Sequence, residues 1–122
     1  MAAANTYTPI ATQTLGSSAS SVTFSSIPST YTDLVLVMST TVSGLTNSYI
    51  RFNSDSGTNY SATILYGTGA SAASTNRTNQ TSIWLDNTDS SPNWNTTIVH
   101  IQNYSNTTTY KTCINRASAA SS

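Results

Sequence analysis

"YTDLVLVMSTTVS", residues 31–43, puts Leu34, Leu36 and Met38 on one side of an extended chain and Val35 and Val37 on the other. A strand that is apolar on both sides is expected at the centre of a sheet, and Pro28, which has no N–H to give to a ladder, marks the approach to it. The composition around this run points the same way. The chain of 122 residues holds 23 Thr, 22 Ser and 12 Asn, nearly half its length, with one Lys, three Arg and no Glu. β-Branched residues lose little on a pleated surface and more in a helix, so an all-β fold follows. Disordered chains are also Ser-rich, but they couple low hydrophobicity to high net charge, whereas here 37% of residues are hydrophobic and the formal net charge is +0. The length suits one domain.

Outward from the central run, the spacing predicts short strands at "ATQTL" and "SVTFSSI", the latter with Val22 and Phe24 on one face. "SYIRFN" turns Ile50 and Phe52 inward with Tyr49 and Arg51 outward, and "YSATILYG" aligns Tyr60, Ala62, Ile64 and Tyr66. Between these two, "NSDSGTN" reads as the loop of a hairpin. "GTGASAASTNRTNQT", residues 67–81, has no buried period and reads as a long exposed loop, the first candidate contact surface through Gly67, Gly69, Asn76, Arg77 and Asn79. "SIWLD", "TIVHIQNY" and "YKTCIN" complete about eight strands. The expectation is a two-sheet antiparallel β-sandwich, jelly-roll-like, spanning residues 1–122, with a flexible start at 1–6 and a flexible tail at 116–122. Its expected core is Val22, Phe24, Leu34, Leu36, Ile50, Phe52, Ile64, Ile83, Leu85, Val99 and Ile101.

Several functional classes are disfavoured by the same counts. Four basic residues provide no clustered footprint for phosphates, so nucleic acid is not expected as a partner. No apolar run approaches the roughly 18 residues of a membrane span, and "MAAANTYTPI" has neither a basic n-region nor an apolar h-region, so no Sec-type signal is expected. Six N-x-[ST] matches are what chance gives in such an Asn-, Ser- and Thr-rich chain.

Chemical motifs are weak. Gly67, Gly69 and Ala72 match a dinucleotide-binding fingerprint, but no helical period follows on which a phosphate-binding helix could pack. Asn53, Asp55 and Gly57 imitate the first part of a calcium loop, yet the chain has no Glu to close one, and an Asx-type turn is the simpler reading. Asp86 and Asp89 read as solvated turn formers. His100, the only histidine, sits within a strand and has no G-x-S-x-G nucleophile elbow to serve. Cys113 is single, so it forms neither an intramolecular disulfide nor a cysteine zinc site and is expected as a small, partly buried side chain. No enzyme, metal or cofactor is expected. Seven Tyr and two Trp, with abundant Ser and Asn, are the alphabet of adaptable contact surfaces, and Trp94 and Tyr49 are the candidate aromatic contacts.

"YTPIATQTL", "SVTFSSIPSTYTDLVLV", "IRFNSDSGTNYSATILYGTG" and "TTYKTCIN" together resemble a family of small β-rich proteins of tailed bacteriophages, described as virion structural or tail-fibre proteins. The most specific parts are Ile27, Pro28, Thr30, Tyr31, Asp33 and Leu34, then Arg51, Phe52, Asn53, Asp55, Gly57, Asn59 and Tyr60. The resemblance implies that these are framework positions. The turn residues Arg51, Asp55 and Gly57 are accordingly expected to be structural, with Asp55 capping backbone N–H groups and Arg51 paired with it. Members of that family continue through further strands, where this sequence reads "RASAASS". That departure leaves three readings open: a naturally shortened member, a remainder missing from this sequence, or an open sheet edge to which a neighbouring chain supplies a strand.

The expected function is thus a non-enzymatic subunit on the surface of a phage virion, in a tail fibre or decorating the head, made in the host cytoplasm. Its expected partners are copies of itself, trimeric by the fibre resemblance, and other virion proteins. The alternative is a carbohydrate-binding module that recognises host surface glycans.

Overall fold

The structure, a computed structural model, describes residues 7–43, 46–67, 70–88 and 93–119. The described residues are all-β with no helix, and hold seven strands: β1 (Leu34–Thr40), β2 (Thr46–Ile50), β3 (Tyr60–Gly67), β4 (Ala72–Gln80), β5 (Ile83–Thr88), β6 (Asn95–Gln102) and β7 (Thr112–Ala119). All pairing is antiparallel. β1, β6 and β7 form one sheet in that order, β2 pairs with β5, and β3 pairs with β4.

The register of the larger sheet explains the core. Leu34 faces Ile101 and Leu36 faces Val99, while across β6 Ile101 faces Cys113 and Val99 faces Asn115. These residues share one side because neighbours along a strand alternate between faces. β5 packs against that side, so that Leu34, Leu85, Val99 and Ile101 form the buried cluster, with Ile27, Leu36, Met38, Ile50, Phe52, Ile83 and Tyr104 around it. Asn95 and Thr97 are buried on the same face of β6, each with a polar partner, which removes the cost of desolvating them. Asn115 on β7 donates its side-chain amide to the Leu85 carbonyl and so fastens β5 to the sheet.

Several expectations are corrected. β1 lies at an edge, not at the centre: its only strand partner among the described residues is β6, and Val35 and Val37 on its outer face are exposed. The apolar outer face is real but has no layer over it among the described residues. "ATQTL" and "SVTFSSI" form no strand, and Val22 and Phe24 are exposed, because alternation alone does not supply a partner for the backbone. Residues 51–59 do not close a hairpin. They carry the chain from β2, paired with β5, to β3, paired with β4. Residues 72–80 are a strand where an exposed loop was expected, and the tail from Arg116 to Ala119 belongs to β7. The expected flexible start at 1–6 lies outside the described residues.

Candidate functional site

The segment between β2 and β3 is built around Asp55. Its N–H donates to the Phe52 carbonyl at 2.9 Å, which tightens the turn, and Asn53 (φ 53°) and Ser54 (φ 59°) occupy the left-handed region within it. One carboxylate oxygen, Oδ1, accepts from Gly57 N–H at 2.8 Å, and the Asn59 amide reaches both oxygens at 3.2 and 3.0 Å. Tyr60 closes the loop from the other side, its hydroxyl donating to the Asp55 carbonyl and accepting from Phe52 N–H, each at 3.2 Å. A Cβ at position 57 would lie 2.7 Å from the Asn59 amide nitrogen, so glycine there leaves room for the amide to cap the carboxylate. Asp55 thus accepts from one backbone N–H, that of Gly57, and from one side-chain amide, that of Asn59. Arg51 does not serve Asp55: its Nε donates to the Thr81 carbonyl at 2.9 Å and ties the exit of β2 to the short link between β4 and β5.

N–H donors converging on Asp55 are the opposite of a calcium site, whose ligands all present oxygen. Among the described residues no three His, Cys, Asp or Glu side chains come together. The Asn59 amide, followed by the Gly57 N–H, holds the Asp55 carboxyl below its ordinary range. A depressed folded-state pKa contributes stability that is present above the unfolded value and is lost as pH falls through the folded one. Asp55→Ala is therefore expected to lower Tm modestly at pH 7 and to lower it less at a pH below the folded pKa, where the protonated carboxyl still accepts these bonds but more weakly, a difference that thermal melts at the two values measure.

A second loop, residues 103–111, packs beside this turn. Asn106 Oδ1 accepts from Thr108 N–H at 2.7 Å and Thr109 N–H at 3.0 Å, and Lys111 Nζ donates to the carbonyls of Asn103, at 3.0 Å, and Asn106. An open cleft of about 390 Å³ lies between the two loops, lined by Ser29, Phe52, Tyr104, Asn106 and Lys111 among others. Its one charged side chain, Lys111, is committed to backbone carbonyls, so no acid–base pair faces the cleft.

Of the expected contact residues, the structure brings Tyr49 and Arg77 together through a residue the sequence reading passed over. Tyr49 faces Trp84 across the β2–β5 ladder, and the Arg77 guanidinium lies over the Trp84 ring, 3.9 Å from its centroid. Tyr49 stays 58% exposed, so this row presents an aromatic edge to solvent. Asn76 and Asn79 are strand residues of β4. Asn79 adopts φ 54° where the β3–β4 register shifts, a bulge that asparagine tolerates better than most residues. Gly67 ends β3, and Gly69 and Asp89 lie outside the described residues. Trp94, 61% exposed, stands just before β6.

His100 lies mid-strand, opposite Val35 on one side and Ile114 on the other. Cys113 is half-buried, and desolvation pushes its thiol up to about 11. At pH 8 the native chain is expected to resist alkylation by iodoacetamide and to react readily once unfolded, which mass spectrometry of the two states checks.

No protein-family model, no curated protein and no solved structure matches the chain.

Proposed function

We propose that the chain is a non-enzymatic structural subunit on the surface of a tailed-bacteriophage virion, in a tail fibre or decorating the head, working by self-association and by docking to neighbouring virion proteins. In this reading the three small sheets are parts of a jelly-roll-like sandwich that neighbours complete. Two supports are independent: the framework residues that resemble such proteins, and the amount of surface left uncovered. The second carries the self-association part of the proposal, and the virion location rests on the resemblance alone. Among the described residues only six are buried, while Tyr110, Leu65, Val37, Trp94 and Ile114 are each at least 60% exposed. The accessible surface is 9251 Å², against about 6,300 Å² for a compact monomer of this mass. Even half the difference exceeds the roughly 800 Å² that one partner brings to a standard interface. With a net charge of +0, copies associate without mutual repulsion.

Static light scattering over a concentration series tests this, together with the position of the chain in an assembled particle. An oligomer, trimeric if the fibre resemblance holds, supports the proposal. A monomer at every concentration, with the same surfaces facing bulk solvent in the particle, overturns it. The Tyr49–Trp84–Arg77 row favours a second reading, a glycan-binding module, in which the exposed Tyr49 ring stacks face-on against a sugar ring. Saturable binding to a host-surface glycan, lost in Tyr49→Ala, would select that reading.

A further inference from the structure

From Tyr7 to Ser26 every residue is exposed, no strand forms, and no charged side chain occurs. Yet "SVTFSSI" has the alternation of a strand, with Val22 and Phe24 on one side and Thr23 and Ser25 on the other. This is a strand-like segment whose backbone lacks a ladder. The complementary lack is at β1. Its outer edge is seven residues long, has no charge and no proline, and pairs with no strand among the described residues. Native proteins usually blunt such an edge with Lys, Pro or a bulge, or cover it.

The root of the arm is fixed. Tyr104, two residues past the end of β6, donates its hydroxyl to the Ile27 carbonyl at 3.1 Å and its N–H to the Thr32 carbonyl at 2.6 Å, and Asn103 N–H donates to Asp33 Oδ1 at 2.7 Å. Ile27 and Tyr31 pack on the core. These bonds hold the root on the β6 side of β1, whereas the free edge of β1 is on the opposite side. Pairing with the β1 edge of a second copy leaves all of these bonds in place.

We propose that residues 20–26 of one copy add as a strand to the free edge of β1 in a second copy. The pairing places Val22 and Phe24 beside Leu36 and Met38, which are only partly covered in the single chain, and leaves Thr23 beside Val35 or Val37 on the outer face. Without charge in the arm, affinity comes from ladder hydrogen bonds and apolar contact, so association should be insensitive to salt. The inference rests on the self-association reading and names the segment and edge that perform it.

Two experiments on the full chain decide it. Thr23→Pro with Phe24→Pro removes one backbone N–H from each side of the strand, and is expected to raise the dissociation constant of the assembly by about tenfold or more while the circular dichroism of the body is unchanged. Val22→Ser with Phe24→Ser, which keeps the backbone donors, should weaken it through lost apolar contact. In the second experiment, chains carrying Thr23→Cys are mixed with chains carrying Val35→Cys or Val37→Cys, and a disulfide between copies is expected under mild oxidation, since facing strand residues lie within its reach. Unaltered assembly of both arm variants, with no cross-link, overturns arm exchange but leaves self-association standing. A cross-link formed only within single chains that carry both cysteines places the arm on its own edge and also overturns it. A wild-type chain that stays monomeric in solution and contacts no copy in the particle removes the self-association reading, and this inference with it.

Discussion

Leu85→Ala is expected to cost about 2–5 kcal/mol, a large part of the stability available to a chain of this size, and to lower Tm by about 10 °C or more. The reason lies in how few side chains make the core. Leu85, 5% exposed, is the one β5 residue in a buried cluster whose other members, Leu34, Val99 and Ile101, come from the facing sheet. Truncation leaves a void between β5 and that sheet, which the surrounding strands cannot close without breaking the Asn115–Leu85 bond that fixes β5 in place. Leu65 is the control. It has the same side chain on β3 but is 81% exposed, and Leu65→Ala is expected to change stability by no more than about 0.5 kcal/mol. Denaturant unfolding of both variants at low concentration checks the contrast. Equal effects would mean that β5 does not hold the core.

The all-β class was legible in residues 31–43 and in the run of β-branched residues after them, because strand propensity and period-2 alternation are local properties. Val99 and Ile101 alternate with Ile98 and His100, and the buried face of β6 could be read from that alone. The Asp55 cap was legible for the same reason: donor and acceptor lie within four residues. What was not legible depends on partners far along the chain. β4, "AASTNRTNQ", has almost no buried position and is a strand only because β3 lies beside it, so burial period gave no sign of it. Conversely, Val22 and Phe24 carry the strand pattern but have no ladder in the single chain. The pairing of β2 with β5 instead of β3 is set by Tyr49 meeting Trp84 and by Arg51 reaching Thr81, contacts 30 or more residues apart. Trp84 was missed in the same way: as one of several aromatics it gave no signal until β5 placed it under Arg77.

Tyr104 is the least legible of these, since it joins Ile27 across 77 residues, and replacing it should have the second large effect. Tyr104→Phe keeps the ring against the core and removes one hydroxyl, so a loss of about 0.5–1.5 kcal/mol is expected, the net worth of one hydrogen bond. Tyr104→Ala also removes the ring, and about 2–4 kcal/mol is expected for a half-buried aromatic. The two variants should differ in a second respect. With the ring in place, Ile27 and Tyr31 retain their packing, and the arm root stays on the body. Without it, the Ile27 carbonyl loses its donor and its apolar neighbour together, so the 27–31 part of the root comes free of loop 103–106 while the backbone N–H groups of residues 103 and 104 still hold Asp33 and Thr32. Limited proteolysis should therefore cut Tyr104→Ala near the root under conditions that leave the wild type and Tyr104→Phe intact there. If Tyr104→Ala were cut no faster at 27–33 than Tyr104→Phe, the root would be held by Asp33 and the Thr32 carbonyl alone, and the tyrosine would act only as core filling.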